Sequence, residues 1–323
     1  MFRNSDINAL RESLPEFDFR SRETAPAGIA RPYLHYYGLD ADNIFTHPQP
    51  GSFHLLGRYS CAGFHIACQY FSPPPEQVRG TAFIVHGYYD HAGIYGHLIK
   101  YCLRRNLAVV IFDLPGHGLS SGEIASIDSF AQYREVFNEC LRMVQRAGLN
   151  KRWFAIGQST GSAIIMDYCL ANCAEANRFE RIVLLAPLVR PYQWSRGKLL
   201  HALLNPFVRT IKRNFAINSS NQEFLRFIHE SDPLQSRRLS VRWVGALKRW
   251  LEEFEKCSPC QFPVAVVQGA LDTTVDWRYN LPVIEEKFPY ATIYMIANAR
   301  HHIVNESVSI RERMFSILDG VLG

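Results

Sequence analysis

No apolar run in this 323-residue chain reaches the roughly 18 residues that a membrane-spanning helix needs. The first 17 residues contain no apolar stretch of the kind a secretory signal carries. Cysteine is sparse: 8 residues are too few for a disulfide scaffold. Charge of one sign is lacking as well. Lys and Arg number 35 against 30 Asp and Glu, a net +5 that is too weak to suggest nucleic-acid binding unless it is clustered. Internal repeats and low-complexity segments are absent. These absences point to a reduced, cytoplasmic protein with no nucleic-acid partner. The 47% hydrophobic and 20% charged composition belongs to a folded globular chain, not a coiled coil or a disordered tail.

What is present is a rhythm of short apolar runs. Thr81 to Val85, Leu107 to Phe112, Trp153 to Ile156, Ile182 to Leu188, Val264 to Val267 and Ala291 to Ile296 are nearly continuous in apolar residues. Strands buried on both faces of a parallel sheet have this pattern. Helical patterns lie between most of them. Phe130 to Val144 repeats at helical spacing, with Ser126 or Ser129 as N-cap, and Ala163 to Cys173, Trp277 to Phe288 and Ser307 to Leu318 fit three more helices. Phe53 to Tyr59 and Phe64 to Phe71 flank a turn at Ser60 to Gly63 and predict a hairpin that adds an antiparallel edge. The whole is an α/β fold with a mostly parallel eight-stranded sheet.

Residues 1–50 show little periodicity and are expected to form an N-terminal arm. The α/β core then covers 51–188 and 257–323. Between them, residues 189–256 lose the strand rhythm and show three helical stripes, so they form an inserted helical cap. The first stripe runs from Leu199 to Ile211, with a kink expected at Pro206. Residues 188–256 hold 13 Lys and Arg against 6 Asp and Glu, a net +7 that leaves −2 for the rest of the chain. Two readings of the first stripe follow: an apolar face packed on the core, or a basic amphipathic surface that meets anionic lipid. Cys257-Ser-Pro-Cys260 lacks the further ligands of a zinc site and is read as a hinge where the cap rejoins the sheet.

Gly157-Gln-Ser159-Thr-Gly161 matches G-x-S-x-G, and so does Gly118-Leu-Ser120-Ser-Gly122. A nucleophile elbow needs a strand running into the motif and a helix running out. Only Ser159 has both; Ser120 is read as a turn serine. A serine hydroxyl needs a base, and the base an orienting acid. Asp272 lies just past the Val264 strand, where a carboxylate faces the same rim as the elbow. Asp276 is its rival and could instead cap the Trp277 helix. His301 and His302 follow the next strand, and composition alone does not choose between them. The oxyanion donors are the Thr160 N–H and the Tyr88 N–H, the latter from the loop after the Thr81 strand. His86 reads as a brace for that loop.

Four segments carry a family resemblance: His86-Gly87 with Asp90-His-Ala-Gly-Ile-Tyr95, Asp113 to Gly122, the Gly157 elbow, and Ala299-Arg-His-His-Ile-Val-Asn-Glu306. Together they resemble the monoacylglycerol lipase and lysophospholipase-like group of α/β-hydrolases, which includes serine aminopeptidase-type members. The resemblance puts the catalytic histidine on His301, with His302 where the family often has Glu. It implies an α/β-hydrolase fold and an esterase with the triad Ser159, Asp272 and His301. It calls for no metal or cofactor, and for a small acyl ester, lipid-like in character, as partner. The alternatives are an amide hydrolase of the same fold and a non-catalytic binding protein.

Overall fold

The computed structural model describes residues 4–21, 28–45, 50–149, 152–204 and 207–323. β1 (Phe53–Cys61) and β2 (Phe64–Ser72) form the hairpin, closed by Ala62 and Gly63 at φ 51° and 80°. Two positive-φ residues give the turn whose twist matches that of the flanking strands. β3 (Gly80–Val85), β4 (Leu107–Phe112), β5 (Arg152–Gln158) and β6 (Phe179–Leu185) follow. β7 (Thr210–Lys212) and β8 (Arg238–Ser240) pair only with each other, and β9 (Val264–Gly269) and β10 (Thr292–Ile296) complete the large sheet. Its order is β1-β2-β4-β3-β5-β6-β9-β10, with β1 and β2 antiparallel and the rest parallel. This is the expected α/β-hydrolase architecture.

Alternate residues of each central strand enter different cores. Phe83, Val110, Ala155 and Val266 pack beneath the helices Phe130–Arg146 and Thr160–Ala171. Ala82, Val109, Ile156 and Val267 pack with the helices Gly96–Leu103 and Val308–Leu322. Burial on both faces is why the strands read as continuous apolar runs. Ser129, not Ser126, caps its helix in a reciprocal capping box with Gln132. Ser126 bonds instead to Ser240 Oγ in the cap at 2.9 Å.

Several expectations need correcting. β6 ends at Leu185, three residues before its apolar run does. Ala186 still bonds Val267 O, but its φ of 43° then turns the chain away from the sheet. Residues 1–50, where little periodicity is visible in the sequence, hold helices at Asn4–Ser13, Arg31–Tyr36 and Ala41–Ile44. Leu10, Tyr33, Leu39 and Ile44 are fully buried in the core. Helices this short leave too few turns for periodicity to show.

The first cap stripe does not form one helix. Trp194–Leu204 is helical, but Ile211 lies in β7. Pro206 lies outside the described residues. Leu199 is 65% exposed and Leu203 62%, so that face is not packed on the core. The all-helical expectation for the insertion also misses the β7–β8 ribbon, whose strands of three residues are too short to leave a signal. Last, the expectation of reduced thiols fails at one pair. Cys260 is joined to Cys173, 87 residues away, while Cys257 is free. The bond ties the segment after the cap to the helix Cys173–Ala176. Among the described residues no helix is long and apolar enough to cross a membrane.

Candidate active site

β5 runs directly into Ser159, and the helix Thr160–Ala171 runs directly out of it. Ser159 has φ 54° and ψ −111°, a conformation L-residues rarely hold. The flanking glycines make it affordable. A Cβ on Gly157 would lie 2.6 Å from the Gly161 carbonyl carbon, and one on Gly161 would overlap the Val85 carbonyl. Strand and helix therefore close on each other only without side chains there. Ser120 differs. Its Oγ donates to Asp113 O at 2.6 Å and accepts from Ala67 N–H at 2.9 Å, so it is spent on the loop.

Asp272 follows β9 and His301 follows β10, at the ends that face the elbow. His301 Nδ1 lies 2.8 Å from Asp272 Oδ2. Asp272 is held in turn by Gln268 Nε2 at 3.1 Å and by the Thr274 and Val275 N–H groups at 2.7 and 3.2 Å. Burial pulls the His301 imidazole down, but the Asp272 charge and hydrogen bond outweigh it, so its pKa is raised. Burial pushes Asp272 up, but His301 and these donors hold it low. Asp276, the rival acid, receives Nε and Nη2 of Arg190 at 3.0 and 2.7 Å.

Ser159, His301, Tyr88 and Thr160 line one cavity of about 330 Å³, roofed by the cap. Among the described residues Ser159 Oγ makes no hydrogen bond to His301. Such bonds are often long in unliganded enzymes and tighten with substrate. The Tyr88 and Thr160 N–H groups donate to no protein acceptor among the described residues. The Tyr88 ring is fixed, stacked on Trp243 at 3.8 Å with its hydroxyl donating to Ala125 O at 2.6 Å.

His86 braces this loop as expected. Its Nε2 accepts from Leu114 N–H at 2.9 Å and its Nδ1 donates to Gly87 O at 2.8 Å. Burial holds it neutral, with its pKa pushed down to about 3.

His302 turns away from Asp272. Its Nε2 meets Asp90 Oδ1 at 3.2 Å, and Asp90 Oδ2 accepts from Gly87 N–H and Tyr95 OH at 3.2 and 2.8 Å. One of the adjacent histidines thus bonds Asp272 and the other bonds Asp90 in the loop after β3. Glu306, fully buried, accepts from the Arg300 and Ser220 N–H groups and from the Ser220 hydroxyl, tying the histidine loop to the cap.

Sequence reasoning missed two groups. Asp232 bonds His91 Nε2 at 2.9 Å and Tyr37 OH at 2.6 Å, joining the insertion, the loop after β3 and the N-terminal helices. Arg213 lines the cavity between two aromatic rings. Neither had a signal, because both depend on contacts between segments far apart in sequence.

The family profile described as serine aminopeptidase, S33 matches residues 76–308. The chain is similar to the monoglyceride lipase of Rattus norvegicus, at 27% identity over 76% of this chain and 82% of that relative. It is similar to a probable lysophospholipase L2 of Haemophilus influenzae, at 22% identity over 91% and 98% of the two chains. Its fold matches a soluble variant of monoglyceride lipase from Saccharomyces cerevisiae solved with a substrate analogue. The TM-score there is 0.70 at 17% identity, covering 82% of this chain and 93% of that one.

Proposed function

The chain belongs to the serine aminopeptidase S33 family of α/β-hydrolases, and from that premise we propose that it cleaves carboxylic esters as a serine hydrolase of monoacylglycerol lipase or lysophospholipase type. Ser159 Oγ attacks the acyl carbonyl carbon while His301 Nε2 takes its proton. Asp272 holds the imidazole tautomer and stabilises the imidazolium. The Tyr88 and Thr160 N–H groups receive the oxyanion, each worth roughly 10²–10³ in rate. His301 returns the proton to the leaving alkoxide. Water then attacks the acyl-enzyme by the same route and frees Ser159. We assign residues 1–50 to an arm, 51–188 and 257–323 to the catalytic core, and 189–256 to the cap that selects substrate.

The observation that carries this reading is the strained Ser159 elbow sharing a cavity with the His301–Asp272 pair and two unspent N–H donors. An aminopeptidase of this fold would need a free carboxylate for a substrate ammonium. Asp90 is the one acid lining the cavity among the described residues, and both its oxygens are occupied. That supports ester over amide. The cap also supplies a membrane-facing surface: Leu199 and Leu203 lie exposed on one helix beside the exposed Arg196 and Lys198.

A fluorophosphonate probe and a panel of p-nitrophenyl esters, monoacylglycerols and aminoacyl anilides test the reading. Esters should turn over far faster than anilides, and Ser159→Ala should abolish both turnover and labelling. Full activity in Ser159→Ala, with loss in Ser120→Ala, would remove the assignment.

A further inference from the structure

Arg213 follows β7 and has a half-buried side chain on the cavity wall. Its guanidinium lies 3.7 Å from the Tyr89 ring centroid and 4.3 Å from that of Phe215. Nη1 donates to Gln235 Oε1 at 2.9 Å and Ser236 O at 3.0 Å. The Nε and Nη2 N–H groups donate to nothing among the described residues, and neither nitrogen is sealed from water. No carboxylate among the described residues lies within ion-pairing distance of it. Asp90 and Asp232 are near enough to favour its charge, but the first serves His302, Gly87 and Tyr95 and the second serves His91 and Tyr37.

A guanidinium offers five N–H donors in a planar fork, and here the edge left open suits two oxygens of one anion. Tyr89 itself sits at φ 73°, so the oxyanion loop accepts an unfavourable backbone conformation at the residue whose ring backs this cation. Burial opposes the charge of a guanidinium unless something answers it, and at contact distance the described protein answers with rings and neutral oxygens, Asp90 and Asp232 acting only from further off.

We infer that Arg213 is a specificity-determining anion subsite, and that the substrate is an ester carrying an anionic oxyacid group, a phosphodiester or a carboxylate. The inference rests on the ester-hydrolase reading of this cavity. It separates the protein's substrate from neutral monoacylglycerols.

Two matched pairs test it: lysophosphatidylglycerol against the monoacylglycerol of the same chain, and mono-p-nitrophenyl glutarate against p-nitrophenyl valerate. Wild-type protein should prefer the anionic member of at least one pair, and salt should raise KM for that member more than for its neutral match. Which pair responds tells phosphodiester from carboxylate. In Arg213→Met the anionic-to-neutral ratio of kcat/KM should fall roughly 10- to 100-fold. Arg213→Lys, a point charge without the fork, should restore part of it. A parallel fall in both members, or a wild-type preference for the neutral member of both pairs, overturns the inference. If Arg213→Met does not fold, the wild-type preference and its salt dependence decide. Calorimetric binding of dodecyl phosphate against dodecanol keeps the subsite testable even if no ester is hydrolysed: preference for the phosphate supports it, and equal affinity overturns it.

Discussion

At the rim of the sheet, Ser159 is held at φ 54° between two glycines that leave no room for a Cβ. Across the same cavity, the cap carries Arg213 at the end of a three-residue strand, with N–H groups still unspent. The rim is built from backbone geometry, so its parts are few and each is fixed by burial or by several bonds. The cap wall around Arg213 is built from side chains on the three-residue strands β7 and β8 and the turns beside them, so its parts are adjustable. Rigid machinery suits the step common to all substrates, and an adjustable wall suits the choice among them. Substitutions in the rim should therefore act on turnover, substitutions between the two regions on stability, and substitutions in the cap on partners.

Asp272→Asn is the sharpest test of the rim. The Asn side chain can hold the imidazole in the wrong tautomer, and by analogy the loss in kcat is on the order of 10⁴. The pH profile carries more information than the rate. As the proposed base His301 must be neutral to act, so activity should fall as pH drops through its pKa. Asp272 raises that pKa above its ordinary 6.5, which puts the acid limb of kcat/KM above that value. With the carboxylate gone, only the charge of Asp90 still opposes burial at the imidazole, and the limb should move to lower pH. A limb that stays put while the rate falls would break the His301–Asp272 assignment.

The contrast between the regions also governs what could be read from residues alone. The rim was legible because strand, glycine, serine and histidine occur in local segments whose physical demands are local. A glycine before and after Ser159 is a short-range packing requirement, visible in five residues. His301 and His302 were not separable by composition, because their roles depend on Asp272 and Asp90, 29 and 212 residues away. The disulfide was hidden for the same reason. Cys260 looked like half of a local pair with Cys257, yet its partner is Cys173. In the cap, the stripe from Leu199 to Ile211 has helical spacing, but spacing does not say that the helix Trp194–Leu204 stops short of β7.

Asp232→Ala tests the joint between the regions. The carboxylate is 3% exposed and receives His91 Nε2, Tyr37 OH and the Leu234 N–H at 2.9, 2.6 and 3.0 Å. Its removal leaves the buried His91 imidazole without its carboxylate and takes an acceptor from Tyr37 OH, which by analogy with broken buried pairs costs about 3–5 kcal/mol. Denaturant unfolding would read this as a lower midpoint. A change under about 0.5 kcal/mol would put Asp232 with ordinary surface positions and would detach the cap from the oxyanion loop energetically.

The smallest expected effect on stability is in the cap helix, where Leu199→Ser with Leu203→Ser should shift unfolding by no more than about 0.5 kcal/mol per site. The two side chains are 65% and 62% exposed and four residues apart on one face, so the fold gains little from them. Phe207 is also exposed, at 86%, and Arg196, Lys198 and Arg209 are exposed cations of the same segment. A face that the fold does not use, rimmed by cations, has the composition of an interfacial contact. Flotation with anionic vesicles should bind the wild-type protein and lose the double variant roughly tenfold or more, since each leucine contributes ~1.5–3 kcal/mol when removed from water. Neutral vesicles should bind both weakly. A double variant that unfolds several kcal/mol earlier would mean that this helix packs its leucines inward in solution, and the cap would then resemble the rim instead of contrasting with it.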